Sequence, residues 1–229
     1  MDAIIFDFDG VVVDSEPVHL EGFQEILGLE GITMSRDDYY GKYLGFDDYD
    51  CFRAVAADNG RTFTDAKVRQ LTEAKTQLVC SAFRTSVRAL AGAVELIRQA
   101  AGDGLPMAIC SGALRREIEL ASETVGVRDC FKVIVAAEDV HKGKPDPEGY
   151  RLALQQLSRY VPSGPEPTRT VVIEDSPAGI QAAGALGMKV LAVSTSYPAS
   201  ELTTADRIVA SLEEVTPADL DKMIAERQA

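Results

Sequence analysis

The chain opens on an apolar run that ends in carboxylates, "FDFDGVVVDS" from Phe6 to Ser15, with aspartates at positions 7, 9 and 14. A carboxylate taken out of water without a partner is costly, so a strand ending in Asp-x-Asp calls for a cation, a proton or solvent. Three more polar stretches follow short apolar runs: Ser111 with Gly112, "HKGKPDP" with Lys144, and Glu174 with Asp175. Acidic oxygens suit Mg2+, which takes a few carboxylates, water and a substrate phosphate, and Asp7, Glu174 and Asp175 with the backbone carbonyl of Asp9 make such a set. Lys144 supplies a point positive charge, and the Pro145 after it biases it toward an extended conformation. Ser111 and the Gly112 amide, at the start of an expected helix, offer hydrogen bonds to a phosphate. Carboxylates, a divalent cation, a lysine and a hydroxyl around one point describe phosphoryl transfer.

These residues must be positioned by the runs they terminate. Ala3 to Phe8, Met107 to Cys110, Lys132 to Ala136, Thr170 to Ile173, Val190 to Val193 and Arg207 to Ala210 read as strands. They are nearly continuously apolar rather than alternating, as strands covered on both faces are. Helical patterns alternate with them: Val94 to Ala101, Leu114 to Val125, Tyr150 to Leu157 and Ala178 to Leu186. The alternation predicts an α/β fold, a Rossmann-like parallel sheet with crossover helices. Ligands of such sheets bind outside the carboxyl ends of the strands, where the polar residues here collect. The connection from the first strand to Met107 is too long for one crossover helix. It holds helical patterns at Pro17 to Leu27, Asp50 to Ala57 and Asp65 to Phe83, the last with Thr64 as its cap. An α-helical bundle over residues 16–88, inserted into a core of residues 1–15 and 89–229, is therefore expected.

Composition narrows the partners. Lys and Arg number 23 against 36 Asp and Glu, a net charge of −13, which weighs against a nonspecific nucleic-acid binder. The cysteines at 51, 80, 110 and 130 are widely spaced, and His19 and His141 complete no zinc pattern, so reduced thiols in a cytoplasmic protein are expected. The uncharged stretch from Ser176 to Met188 is too short and too rich in glycine to span a membrane. A monomer without membrane attachment is the expectation.

"DFDGVVVDS", "CSG", "KGKPDP" and "EDSPAGIQAA" occur in that order across nearly the whole chain. In these motifs the sequence resembles the haloacid dehalogenase-like (HAD) superfamily, in the branch that includes β-phosphoglucomutase and small sugar-phosphate or phosphoglycolate phosphatases. The helical insertion matches that superfamily's bundle-type cap. The resemblance implies that Asp7 is the nucleophile forming an aspartyl-phosphate, and that Asp9 protonates the leaving oxygen and then activates water. It implies substrate binding by Ser111, Gly112 and Lys144, and Mg2+ held by Asp7, Asp9, Glu174 and Asp175. A metal-bound Asp7 would stay ionised, while an Asp9 side chain denied coordination would have a raised pKa.

Local structure offers competing roles. Ser111 can cap a helix, and Asp146-Pro147-Glu148 and Ser176-Pro177 both look like helix starts, which leaves Ser176 outside the catalytic set. Asp14 and Ser15 are expected to shape the exit into the cap, His19 to serve as a hinge or a structural residue, and His141 and Cys110 to be structural. Within the superfamily a mutase must grip a second phosphate, and "GKYLGFDDYD" puts Phe46, Asp47 and Asp48 at the comparable cap turn, although Lys42 and Arg53 lie nearby. The expectation is a phosphatase for a small phosphorylated metabolite, with a phosphosugar mutase second and a non-catalytic phosphate binder third. Residues 40–53 are the expected specificity loop.

Overall fold

The computed structural model describes residues 1–225. Six strands, β1 (Ala3–Phe6), β2 (Met107–Cys110), β3 (Val133–Val135), β4 (Thr170–Glu174), β5 (Lys189–Val193) and β6 (Arg207–Val209), form one sheet in the order β3-β2-β1-β4-β5-β6. Each pairing in it is parallel. The near-continuous apolar strands are explained by two covering layers. Ile4 and Phe6 of β1 join one buried cluster, and Ala3 and Ile5 join the other. The first layer comes from α5 (Ala93–Gly102), α6 (Arg115–Thr124) and α9 (Pro217–Ala225), through side chains such as Leu96, Ile118 and Leu220. The second comes from α7 (Glu148–Leu157) and α8 (Pro177–Gly184), through Tyr150, Leu157 and Ile180. This is the expected Rossmann-like α/β architecture, with β1 in the middle of the sheet.

Between β1 and β2 lie α1 (Glu16–Leu29), the short α2 (Arg36–Asp38), a π-helical turn at Tyr39–Tyr43, α3 (Asp48–Asp58) and α4 (Asp65–Ser86). They share a buried cluster of their own, in which the rings of Phe23 and Phe52 meet edge to face 5.1 Å apart. Helix α4 serves two clusters: Val68 and Leu71 pack with the helices, whereas Val79 and Phe83 enter the sheet cluster. The two strands of chain that connect the insertion run side by side, with Asp14 N donating to Arg88 O at 2.9 Å and Leu90 N to Val12 O at 3.0 Å.

The first strand ends at Phe6, earlier than the apolar run suggests. Past Asp7 the backbone curls, with Val12 N donating to Phe8 O at 2.8 Å and Gly10 N to Val13 O at 2.9 Å. Val11, Val12 and Val13 are buried in this turn, where Val13 makes isolated bridges to Asp9 and Ala89 outside the sheet. Helix α3 begins at Asp48, before the expected Asp50, because the Asp47 side chain accepts from Asp50 N at 2.8 Å and caps it. The Thr64 cap is present, accepting from Lys67 N at 3.2 Å. The turns at residues 36–43 and α9 were not anticipated from the sequence pattern.

Candidate active site

The carboxyl ends of β1, β2, β3 and β4 open onto a cavity of about 350 Å³, closed on the far side by residues of the helical insertion. Asp7, Asp9, Ser111, Gly112, Lys144 and Asp175 all line it. Asp7 is held in place by sheet pairing continued one step past β1, its N–H donating to Ile173 O at 2.9 Å. Ser111 is placed the same way past β2, donating to Val135 O at 3.0 Å. The Lys144–Pro145 peptide bond is cis.

Lys144 Nζ lies 2.9 Å from Asp7 Oδ1 and 2.5 Å from Glu174 Oε1. Glu174 is fully buried behind the cavity wall. Its Oε1 also accepts from the Tyr150 hydroxyl at 2.7 Å, and its Oε2 accepts from Asp175 N, Ser176 N and Ser176 Oγ at 2.9, 3.0 and 2.9 Å. Ser176 in turn caps α8, accepting from Gly179 N at 3.1 Å. A Cβ on Gly179 would overlap the Glu174 carboxylate, so the helix approaches as closely as bare backbone allows.

Among the described residues, Asp7, Glu174 and Asp175 offer oxygen atoms within 4.8 Å of one another, all buried. Burial pushes the Asp7 carboxyl up to about 7 against the pull of Lys144, with Glu174 and Asp9 pushing further. Burial, Glu174 and Asp7 likewise push Asp175 well above the carboxylate range. Three desolvated oxygen donors crowded together, with more negative charge than one lysine neutralises, fit a hard divalent cation such as Mg2+.

Asp9 is built differently. Burial disfavours its charge, but hydrogen bonds from His19 and Ser15 and the charges of His19 and Lys75 outweigh that and hold its carboxyl below the usual range. With protein groups alone, the two aspartates are thus ordered opposite to the expectation of a raised Asp9. His19 and Ser15 are the donors responsible: Ser15 Oγ contacts Asp9 Oδ1 and His19 Nε2 lies 3.5 Å from it, while Ser111 Oγ also donates to Oδ2 at 3.3 Å. Ser15 therefore touches Asp9 as well as shaping the chain's exit, whereas Asp14 is exposed. Behind His19, Lys75 Nζ sits 2.8 Å from Nδ1, fully buried, and pairs with Asp48 of α3. The direction of the Lys75–Nδ1 contact depends on the imidazole tautomer, and an imidazole that accepts there carries its proton on Nε2, facing Asp9.

His141 and Cys110 also line the cavity, and burial pushes the Cys110 thiol up to about 12. The sequence reading missed Lys75, Tyr150 and Tyr197. Lys75 had a signal: it interrupts the buried stripe Val68, Leu71, Thr72, Thr76, Val79 and Phe83 of α4, where a lone lysine needs partners. Tyr150 reads as an ordinary core aromatic, and nothing in the sequence marks Tyr197.

Residues 1–187 match the family of haloacid dehalogenase-like hydrolases. The chain belongs to that family. As a member, this hydrolase is 31% identical to fructose-1-phosphate phosphatase YqaB of Escherichia coli, over 81% of this chain and 92% of the relative. Its fold is similar to a CbbY variant of Rhodobacter sphaeroides solved with xylulose-(1,5)bisphosphate, at a TM-score of 0.87 and 25% identity, covering 96% of this chain and 99% of the other. It also shares its fold with β-phosphoglucomutase of Clostridium difficile, at a TM-score of 0.87 and 19% identity, covering 100% and 99%. No helix among the described residues is long and apolar enough to cross a membrane.

Proposed function

We propose that this hydrolase is a Mg2+-dependent phosphatase that cleaves a small phosphomonoester, a sugar phosphate or similar metabolite, through an aspartyl-phosphate on Asp7. The observation that carries the reading is the placement of Lys144 Nζ 2.9 Å from Asp7 Oδ1 in one cavity beside Asp9 and Asp175. The phosphatase names of relatives such as the fructose-1-phosphate enzyme support it. Asp7, Asp175, the Asp9 carbonyl and Glu174 would hold Mg2+, which when bound neutralises phosphoryl oxygens and keeps Asp7 ionised. Lys144 and Ser111, with the Gly112 amide, orient the phosphoryl group toward the Asp7 carboxylate. Asp9 Oδ1 faces the His19 Nε2 proton. The charge of a bound phosphate raises the pKa of Asp9, so that it takes up the proton it delivers to the leaving oxygen. In the second half of the reaction the Asp9 carboxylate accepts a proton from the water whose oxygen bonds to phosphorus, the Asp7 oxygen–phosphorus bond breaks, and inorganic phosphate leaves with Asp7 restored.

In this reading residues 16–88 are a cap over a core of residues 1–15 and 89–229, and closure excludes bulk water while the phosphoryl group is transferred. The mutase alternative is not favoured. Asp47, Asp48 and Asp50 face the cavity, and the nearby cations are taken up by acidic side chains: Lys75 by Asp48, Arg53 by Asp50 and Asp65, and Lys42 by Asp38 at 2.9 Å. A second phosphate would meet negative charge at that end. The free cysteines at 51, 80, 110 and 130 support a reducing, cytoplasmic setting, and we read the protein as a monomer from the size of its core.

The test is phosphate release from p-nitrophenyl phosphate by the wild type and by Asp7→Asn, with Mg2+ and with excess EDTA. We expect release by the wild type with Mg2+, and at least a thousandfold less from Asp7→Asn or after chelation. Equal release by both proteins, or none by the wild type, overturns the phosphatase reading.

A further inference from the structure

Three consecutive residues after β5 reach three different parts of the site. Thr195 Oγ1 donates to the Gly10 carbonyl, in the turn that follows β1. Ser196 Oγ and the Asp175 carboxylate both lie against Gly10. Gly10 has a φ of +73°, and a Cβ there would collide with both Asp175 and Ser196, so the turn, the carboxylate and the loop are pressed together. The Tyr197 hydroxyl then crosses to the helical insertion and donates to the Leu44 carbonyl at 3.1 Å.

Leu44 ends the π-helical turn and leads through Gly45 and Phe46 to the Asp47 cap of α3, and Leu44 to Asp48 line the cavity, as do Ser196 and Tyr197. The Tyr197 ring packs against the sheet cluster under α7 and α8, so its hydroxyl is fixed from the core side. A Cβ on Gly45 would lie 3.3 Å from that hydroxyl, so the bond is made where the insertion presents bare backbone.

We propose that Tyr197 is a positioning residue that pins the 44–48 turn over the cavity and thereby sets how tightly the substrate's leaving group is enclosed. The proposal rests on the phosphatase reading of the cavity. The same loop grips Gly10, beside Asp175, so the wall over the leaving group is anchored to the segment that frames the reacting end. One hydroxyl-to-carbonyl bond shifts a closing equilibrium by about fivefold. Closure encloses the ground state and the transition state alike, so its weakening appears in KM rather than kcat.

Tyr197→Phe removes only the hydroxyl and keeps the packed ring. Two readouts test it: hydrogen–deuterium exchange of peptides covering residues 40–53, and steady-state hydrolysis of p-nitrophenyl phosphate. We expect exchange in that segment to quicken by about fivefold with α7 unchanged, and KM to rise by about fivefold with kcat within about twofold. Wild-type exchange and wild-type KM in the variant overturn the proposal. Exchange that quickens equally in α7 also overturns it, because Tyr197 would then only support the fold. A wild type that releases no phosphate overturns the phosphatase reading instead, and the exchange comparison still decides whether the turn is pinned.

Discussion

Lys144 stands between two carboxylates, 2.9 Å from Asp7 and 2.5 Å from Glu174, with the Tyr150 hydroxyl on the same Glu174 oxygen. Its side chain is mostly buried, so its charge is poorly replaced by water. Lys144→Met keeps the length and removes the charge, leaving two desolvated carboxylates facing each other. Removing one partner of a buried ion pair costs roughly 3–5 kcal/mol, and we expect a loss of stability near the lower end because the cavity admits some water. Millimolar Mg2+ should recover part of it by binding the same carboxylates. Urea denaturation of wild type and variant, each with and without Mg2+, measures both effects. An unchanged midpoint, or an equal Mg2+ response in the two proteins, contradicts this account. Asp7 and Asp175 were legible in the sequence because charged residues directly after apolar strands have few structural uses, and Lys144 because its lysine stands in the polar "KGKPDP" stretch beyond β3. Lys75 left only the mark of a lone lysine in the buried stripe of α4, and Tyr197 left none, because its partner Leu44 is brought to it by the fold alone.

At the scale of elements, the site depends on how closely α8 approaches the end of β4. Ser176 caps the helix and donates to Glu174, and Gly179 leaves no room for a side chain beside that carboxylate. Gly179→Ala would gain helix propensity on an exposed helix, but here its methyl must displace Glu174 or tilt the helix. Overpacking of this kind costs roughly 1–3 kcal/mol, more than the roughly 1 kcal/mol of propensity gained. We expect a lower melting temperature and a phosphatase rate reduced at least tenfold, because Glu174 also places Lys144. A variant as stable and active as the wild type would show that the helix has slack. The sheet itself was readable element by element, since strands covered on both faces are apolar throughout. Ends were less so: β1 stops where the Gly10 turn draws Val11 to Val13 into the core outside the six-stranded sheet. Helix α4 also blurs the edge of the insertion, because Val79 and Phe83 belong to the sheet cluster, a division that depends on packing and leaves no mark on periodicity.

For the molecule as a whole, charge sets a problem that the site solves locally. The chain carries a net charge of −13, and the cavity is lined by Glu16, Asp47, Asp48 and Asp50 on the insertion side and by Asp7, Asp9, Asp146 and Asp175 on the core side, against the cations Lys142 and Lys144. A phosphate dianion therefore approaches a molecule that repels it at long range and attracts it only near Lys144. Salt screens the first effect more than the second, because the Debye length falls from about 30 Å at 0.01 M to about 8 Å at 0.15 M while the Lys144 contact is short and mostly buried. We accordingly expect kcat/KM for a sugar monophosphate to rise by about two- to threefold over that range at saturating Mg2+, the reverse of an electrostatically steered enzyme. Stopped assays at low substrate concentration in graded NaCl measure it. Asp47→Asn with Asp50→Asn should flatten the rise, since both remove negative charge at the mouth. A kcat/KM that falls with salt would mean that Lys142 and Lys144 dominate the approach, and that the acidic surface is too distant from the cavity to be felt.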